Sequence, residues 1–169
     1  MRVLLAYSSK HGATAEIAER IGDRLRVAGY EVDVVEAGTV RDVEPYDAVV
    51  LGSAVYMARW GRDARKLLGG QADKLATRPT WLFSSGPVGE DEPDPAKAER
   101  WTTPKQVKKL GPRIGVREHV VFGGRVPTDP GNFMERAMER DTKPELKDRR
   151  DWQAIDAWAD GIDRALSPT

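Results

Sequence analysis

The chain has 169 residues, 40% of them apolar and 32% charged, which suits one globular domain with a substantial core; no run approaches the roughly 20 apolar residues of a membrane span. With no cysteine and two histidines, it excludes disulfides, thiolate nucleophiles, cysteine-held clusters and His-rich metal sites. Twenty-seven basic residues balance twenty-seven acidic ones, so no global field draws the chain to nucleic acid or to an anionic membrane.

Residues 2–7 are apolar without alternation, the pattern of a central parallel strand covered on both faces. This run has no small-residue cleavage site, so it reads as a strand and not a signal peptide, and a cytoplasmic protein is expected. The polar loop Ser8-Ser9-Lys10-His11-Gly12-Ala13-Thr14 follows, and then Ile17, Ile21 and Leu25 fall at helical spacing as far as Gly29. Such a strand, loop and helix start forms an anion site, because unpaired N–H groups and the positive end of the helix dipole converge on one point. A phosphate is the anion expected there.

Glu31–Glu36 alternates charged and valine positions and reads as an edge strand. Residues 47–51 are again solidly apolar and end at Gly52-Ser53. Ala64, Leu67, Leu68 and Leu75 predict a surface helix over 61–76, which Gly69-Gly70 kinks or splits. Residues 80–84 and 119–122 supply a fourth and a fifth strand. Between them, 86–118 is an irregular insertion, with a solvated acidic, Pro-rich part at 90–100, Trp101 pinning it, a short helix near 104–110 and a break at Gly111-Pro112. A methionine-bearing helix near 132–140, with Met134 and Met138 packed, leads through a charged solvated connector at 141–150. The last helix carries Trp152, Ile155, Trp158 and Ile162 on one face.

Strand and helix alternate almost throughout, which predicts an α/β fold: a doubly wound five-stranded parallel sheet, order 2-1-3-4-5, with helices on both faces. In that order ligands bind beyond the C-terminal ends of strands one, three and four. The loops there, 8–14, 53–60 and 84–92, have the least ordinary sequences in the chain. Neither G-x-x-x-x-G-K-[ST] nor G-x-G-x-x-G is present. Tyr7-Ser8 and Gly52-Ser53 stand where a receiver domain needs carboxylates, and a low-molecular-weight phosphatase needs a cysteine.

The stretch Ser9-Lys10-His11-Gly12-Ala13-Thr14 resembles the T-x-T-G-x-T phosphate loop of the flavodoxin family. The resemblance implies one noncovalent FMN, with Ser8, Ser9, Lys10, His11, Gly12, Ala13 and Thr14 around its phosphate, the Ser9 and Thr14 hydroxyls donating, and His11 in place of the usual hydroxyl residue. It also implies a ring site made by Ser53, Ala54, Val55 and Tyr56, with Tyr56 as the stacking aromatic ahead of Trp60. A third loop of Ser85, Gly86, Pro87, Val88 and Gly89 then offers backbone donors to the flavin's pyrimidine edge, Pro87 excepted.

Within that superfamily the chain is most similar to the flavodoxin-type menaquinone-dependent protoporphyrinogen dehydrogenase family. Ser8 to Thr14, Gly52 to Tyr56, the 86–118 excursion and Asp151-Trp152 carry that likeness. It implies an oxidoreductase that passes electrons from a small-molecule substrate through FMN to a quinone or similar acceptor, with peripheral contact with a membrane left open. In such a protein the cofactor carries the chemistry, so no catalytic acid or base and no metal ligand is named. Arg125 is a candidate contact for a substrate carboxylate, and His119 is read as structural. Three alternatives stay open: an electron carrier with a redox protein partner, an NAD(P)H-dependent FMN reductase, and a module without flavin. Met57-Ala58, where shuttling flavodoxins often carry glycine, implies two-electron chemistry.

Overall fold

Strand β1 (Arg2–Ser8) is covered on both sides, which is why its sequence does not alternate: Val3 and Leu5 enter one core, Leu4 and Ala6 the other. The computed structural model describes residues 1–86 and 103–168. Around β1 the chain lays down α1 (Ala13–Val27), β2 (Glu31–Glu36), β3 (Ala48–Tyr56), the two-residue β4 (Arg59–Trp60), α2 (Arg62–Gly70) and α3 (Ala72–Leu75). These are followed by β5 (Thr80–Ser85), α4 (Lys105–Ile114), β6 (Glu118–Phe122), α5 (Phe133–Asp141) and α6 (Trp152–Leu166). The sheet order is β2-β1-β3-β5-β6, all parallel, and β4 folds back antiparallel on β3. Counted over the parallel strands alone, this is the expected 2-1-3-4-5 order.

Helices α1 and α6 cover one face, where Ile17, Ile21, Leu25, Ile155 and Ile162 meet Val3, Leu5, Val50 and Phe83. Helices α2, α3 and α4 cover the other, with Leu67, Leu68, Leu75 and Ile114 against Leu4, Leu51 and Leu82. Two ion pairs join α1 to α6, Arg20 to Asp156 at 2.7 Å and Arg24 to Asp160 at 2.6 Å. Trp158 is buried between Phe83 and Phe122, edge-on to both, and its Nε1 donates to Glu118 at 2.8 Å.

Several expectations are corrected. The strand begun at residue 48 does not stop at Gly52-Ser53; it continues to Tyr56, so Ser53, Ala54 and Val55 are strand residues and not loop. The surface helix is split as expected, but at Gln71. Gly111-Pro112 does not break α4: Val107 and Ile114, seven residues apart, are buried on one face and carry the helix past the proline to Gly115, whose φ of 72° ends it. Trp152 is not core; it is 36% exposed and lies beneath the Arg150 guanidinium, 4.8 Å from it. Met134 is 59% exposed and unpacked, since α5 is short and turns only part of itself inward. The connector at 141–150 is not simply solvated: Val126 N donates to Lys147 O at 2.7 Å, Arg149 N to Gly124 O at 2.9 Å, and the Arg150 side chain is buried. The expectations placed on Pro87, Val88, Gly89, 90–100 and Trp101 lie outside the described residues.

Candidate functional site

Four residues, 9–12, turn the chain from the end of β1 to the start of α1. Gly12 makes the turn at φ 86°, a left-handed conformation that costs other residues roughly 1–2 kcal/mol. It is also the N-cap of α1, and no side chain caps that helix, so its first-turn N–H groups stand ready for an external anion. Ser9 Oγ accepts from Gly12 N at 3.1 Å and holds the turn shut. Thr14 is 2% exposed, and its hydroxyl has no hydrogen-bond partner among the described residues. An uncapped helix start beside a hydroxyl with no protein partner among the described residues fits a phosphate in both charge and donor type. Ser8, paired with Ser53 across the strands, sends its hydroxyl toward Gly61, where a Cβ would meet it at 2.4 Å.

A buried carboxylate braces this loop from the side. Glu135, the third residue of α5, is fully buried; its Oε1 lies 2.5 Å from Lys10 Nζ and 3.0 Å from His11 Nε2, and its Oε2 accepts from Gly131 N at 2.7 Å. Asn132 caps the helix by accepting from Glu135 N at 2.9 Å. Lys10 first, then His11 and the Gly131 N–H, hold the Glu135 carboxyl down to about 2 against the opposing effect of burial. A depressed carboxylate stabilises the fold fully above its ordinary value of 4.5 and loses that contribution as pH falls through about 2. Glu135→Gln is therefore expected to lower stability at neutral pH and to remove part of the acid sensitivity between those limits. Urea unfolding of both proteins at about pH 7 and about pH 3 checks this, and parallel pH profiles would refute it.

The same excursion after β6 straps the first turn of α1. Arg125 Nη1 donates to Glu16 Oε2 at 3.0 Å, while Arg150 donates to Glu16 and, at 3.4 Å, to Ala13 O. Arg125 is thus engaged by a carboxylate of the protein itself. Glu135 and Arg150 were not among the residues expected at this site. The Asn132-x-x-Glu135 spacing signals a helix start, but nothing in the sequence shows that its carboxylate reaches a loop more than a hundred residues earlier.

Tyr56 ends β3 and is 40% exposed, with Lys10 Nζ 5.1 Å from its ring centroid, so its ring lies open beside the loop at the end of β1. After it, Met57 and Ala58 turn the hairpin at φ 50° and 60°, positions at which such turns normally use asparagine or glycine. Ser53 points inward: its Oγ donates to Ala54 O and accepts from Gly61 N, both at 2.8 Å. Val55 pairs with Trp60 in the hairpin, and Ala54 pairs with Ser85. Trp60 is 2% exposed and donates to Ser84 Oγ at 2.8 Å, which lies 2.8 Å from His119 Nε2, so Trp60 is unavailable for stacking. Burial lowers the His119 pKa and keeps the ring neutral. The Gly86 N–H, expected as a free donor, is taken by Phe122 O at 2.9 Å, and Ser85 is 5% exposed.

A family model described as the flavodoxin domain matches residues 4–152. Among curated proteins, protoporphyrinogen IX dehydrogenase [quinone] of Escherichia coli K12 is 26% identical over 86 residues, 50% of this chain and 48% of that one. The chain therefore spans about half the length of the curated relatives it matches. Among solved structures, a cysteine-to-serine mutant of flavodoxin from Pseudomonas aeruginosa superposes with a TM-score of 0.64 at 18% identity, over 98% of this chain and 99% of that one. Flavodoxin 2 from Bacillus cereus does so with 0.61 at 18% identity, over 98% and 100%. Rubredoxin oxygen:oxidoreductase from Desulfovibrio gigas gives 0.63 at 16% identity, over 98% of this chain but 36% of that one. With the family match running from β1 through the start of α6, the chain belongs to the flavodoxin family of FMN-binding proteins.

Proposed function

We propose that the chain is a single-domain, cytoplasmic FMN-dependent oxidoreductase of the protoporphyrinogen dehydrogenase type, passing electrons from a reduced small-molecule substrate to a quinone or similar acceptor. The observation that supports an enzyme most is the open aromatic Tyr56 beside the phosphate loop, together with the likeness of half the chain to the E. coli dehydrogenase. FMN, when bound, supplies the hydride and electron transfer. The chain's own part is positional. Backbone N–H groups at the start of α1 and the Ser9 and Thr14 hydroxyls would hold the phosphate, Glu135 keeps Lys10 and His11 in place, and Tyr56 offers a face for the ring. Among the described residues no helix is long and apolar enough to cross a membrane; the open Tyr56 face is where a quinone would be met.

A second reading, an electron carrier with a redox protein partner, is favoured by superposition on flavodoxins over nearly the whole chain. Anaerobic incubation of the FMN-loaded chain with protoporphyrinogen IX and a menaquinone analogue separates the two. Growth of porphyrin fluorescence that needs both FMN and quinone is the expected result. An FMN-loaded chain that leaves protoporphyrinogen unchanged but exchanges electrons with a ferredoxin reductase would replace the first reading with the second.

A further inference from the structure

A groove of about 1320 Å³ runs between the β3–β4 hairpin, the outer side of α2 and the start of α4. Arg59, Arg62, Arg65, Lys66 and Lys105 line it, with Met57 and Ala58 at one end and no carboxylate among the described lining residues. Its framework is fixed: Arg65 Nε donates to Trp60 O at 3.0 Å, and Gln106 Nε2 to Arg65 O at 2.8 Å, tying α4 to α2. Arg59, Arg62, Lys66 and Lys105, by contrast, are exposed and have no ion-pair or hydrogen-bond partner among the described residues.

In a chain whose charges cancel overall, this is a local segregation of positive charge. Like charges three and four residues apart on a helix oppose its formation. In a concave site they also concentrate anions from solution. The apolar end is the hairpin turn at Met57 and Ala58, held in a left-handed conformation without glycine, a form of backbone strain that gathers at ligand sites. Tyr56 immediately precedes it. A molecule with an apolar body and acidic groups would therefore lie with its body at the hairpin, toward the flavin site, and its acids among the cations.

We propose that this groove binds the carboxylates of a small amphipathic polyanion and so selects which molecule reaches the flavin. The anion site stands on the lining residues alone; its orientation toward Tyr56 and its part in selecting what reaches the flavin rest on the redox reading above.

The test is fluorescence titration of the FMN-loaded chain with mesoporphyrin IX, a planar dicarboxylate, at about 50 and about 300 mM salt. It is repeated with the double variant R62E/K66E and, separately, with R59Q. Glutamate at 62 falls in the first turn of α2, where an acidic residue suits the helix dipole. Saturable binding is expected, weakened several-fold by the added salt, at least tenfold by R62E/K66E and less by R59Q. Absence of saturable binding, or binding indifferent to both salt and charge reversal, overturns the proposal. Displacement of mesoporphyrin by NADPH at far lower concentration than by NADH overturns the carboxylate assignment in favour of a phosphate. FMN titration of the same samples, expected to be unchanged by R62E/K66E, separates the two hypotheses: loss of FMN binding in the wild type sinks the redox reading and leaves the groove standing. Intact FMN binding without porphyrin binding sinks the groove alone.

Discussion

Replacing Ser9 and Thr14 together by alanine is expected to weaken FMN binding by about a hundredfold or more, since each hydrogen bond to a charged group contributes roughly 1.5–3 kcal/mol and 1.4 kcal/mol is a tenfold change. Quenching of flavin fluorescence on titration reads the effect directly. The two residues lose different things. Thr14 gives up a hydroxyl that has no partner inside the described protein, so its loss falls on the ligand and leaves the fold intact. Ser9 gives up the acceptor for Gly12 N, so the turn itself loosens as well. Riboflavin, which lacks the phosphate, supplies the control: its weaker binding should be the same in wild type and variant. If the double variant bound FMN as wild type does, the phosphate would have to sit elsewhere.

Phe83→Ala is expected to destabilise the fold by about 3–5 kcal/mol, the usual cost of emptying a buried aromatic site. That is a large part of the roughly 5–15 kcal/mol that holds a typical domain together. Phe83 is fully buried, 6.0 Å from the ring centroids of both Phe122 and Trp158, and it joins β5 to α6 through that aromatic cluster. Its ring also fills the space beside Gly52, where a Cβ would come within 2.0 Å of it. Gly52→Ala alone should therefore be costly through overpacking, and it should cost much less in the Phe83→Ala background. Urea midpoints of the two single variants and the double variant check the coupling; strictly additive losses would mean that the ring does not exclude the methyl group.

That pairing also explains why β3 runs on past Gly52. Gly52 looked like the end of a strand because glycine is depleted in strands. In the fold it is the residue that lets β3 pass over a phenylalanine contributed by its neighbour. A contact between residues 52 and 83 leaves no local trace. Pro112 misled in the opposite direction, since local chemistry forbids it inside a helix while burial of Val107 and Ile114 overrides that rule.

Features set by local patterning were legible. The unalternating run of β1, the spacing of Ile17, Ile21 and Leu25, and the Gly12-x-Thr14 turn each depend on residues close in sequence. The brace on the loop was hidden, because Glu135 reads as an ordinary first-turn acid until the fold brings it to Lys10. The cationic groove was hidden too, by averaging: Asp63 sits among Arg62, Arg65 and Lys66 and balances them on paper while facing away toward Gly38. The signal that was available is the spacing of 59, 62 and 66, which places three cations along one side of a turn and helix.

The two ion pairs between α1 and α6 have the same separation in sequence, 136 residues, for Arg20 with Asp156 and for Arg24 with Asp160. Each is at least partly open to water and adds little on its own, about 0–1 kcal/mol. Their equal offset does something that energy alone does not express. If α6 slid by one turn, Arg24 would face Asp156, and Arg20 and Asp160 would both be stranded. The pairs therefore index the last helix against the first at a single axial position. Because residues 9–12 lead directly into α1, that register also joins the far C-terminal helix to the loop at the end of β1. Shortening α6 from its end would remove Leu166 and then Ile162 from the core that α1 shares, so register and packing would be lost together.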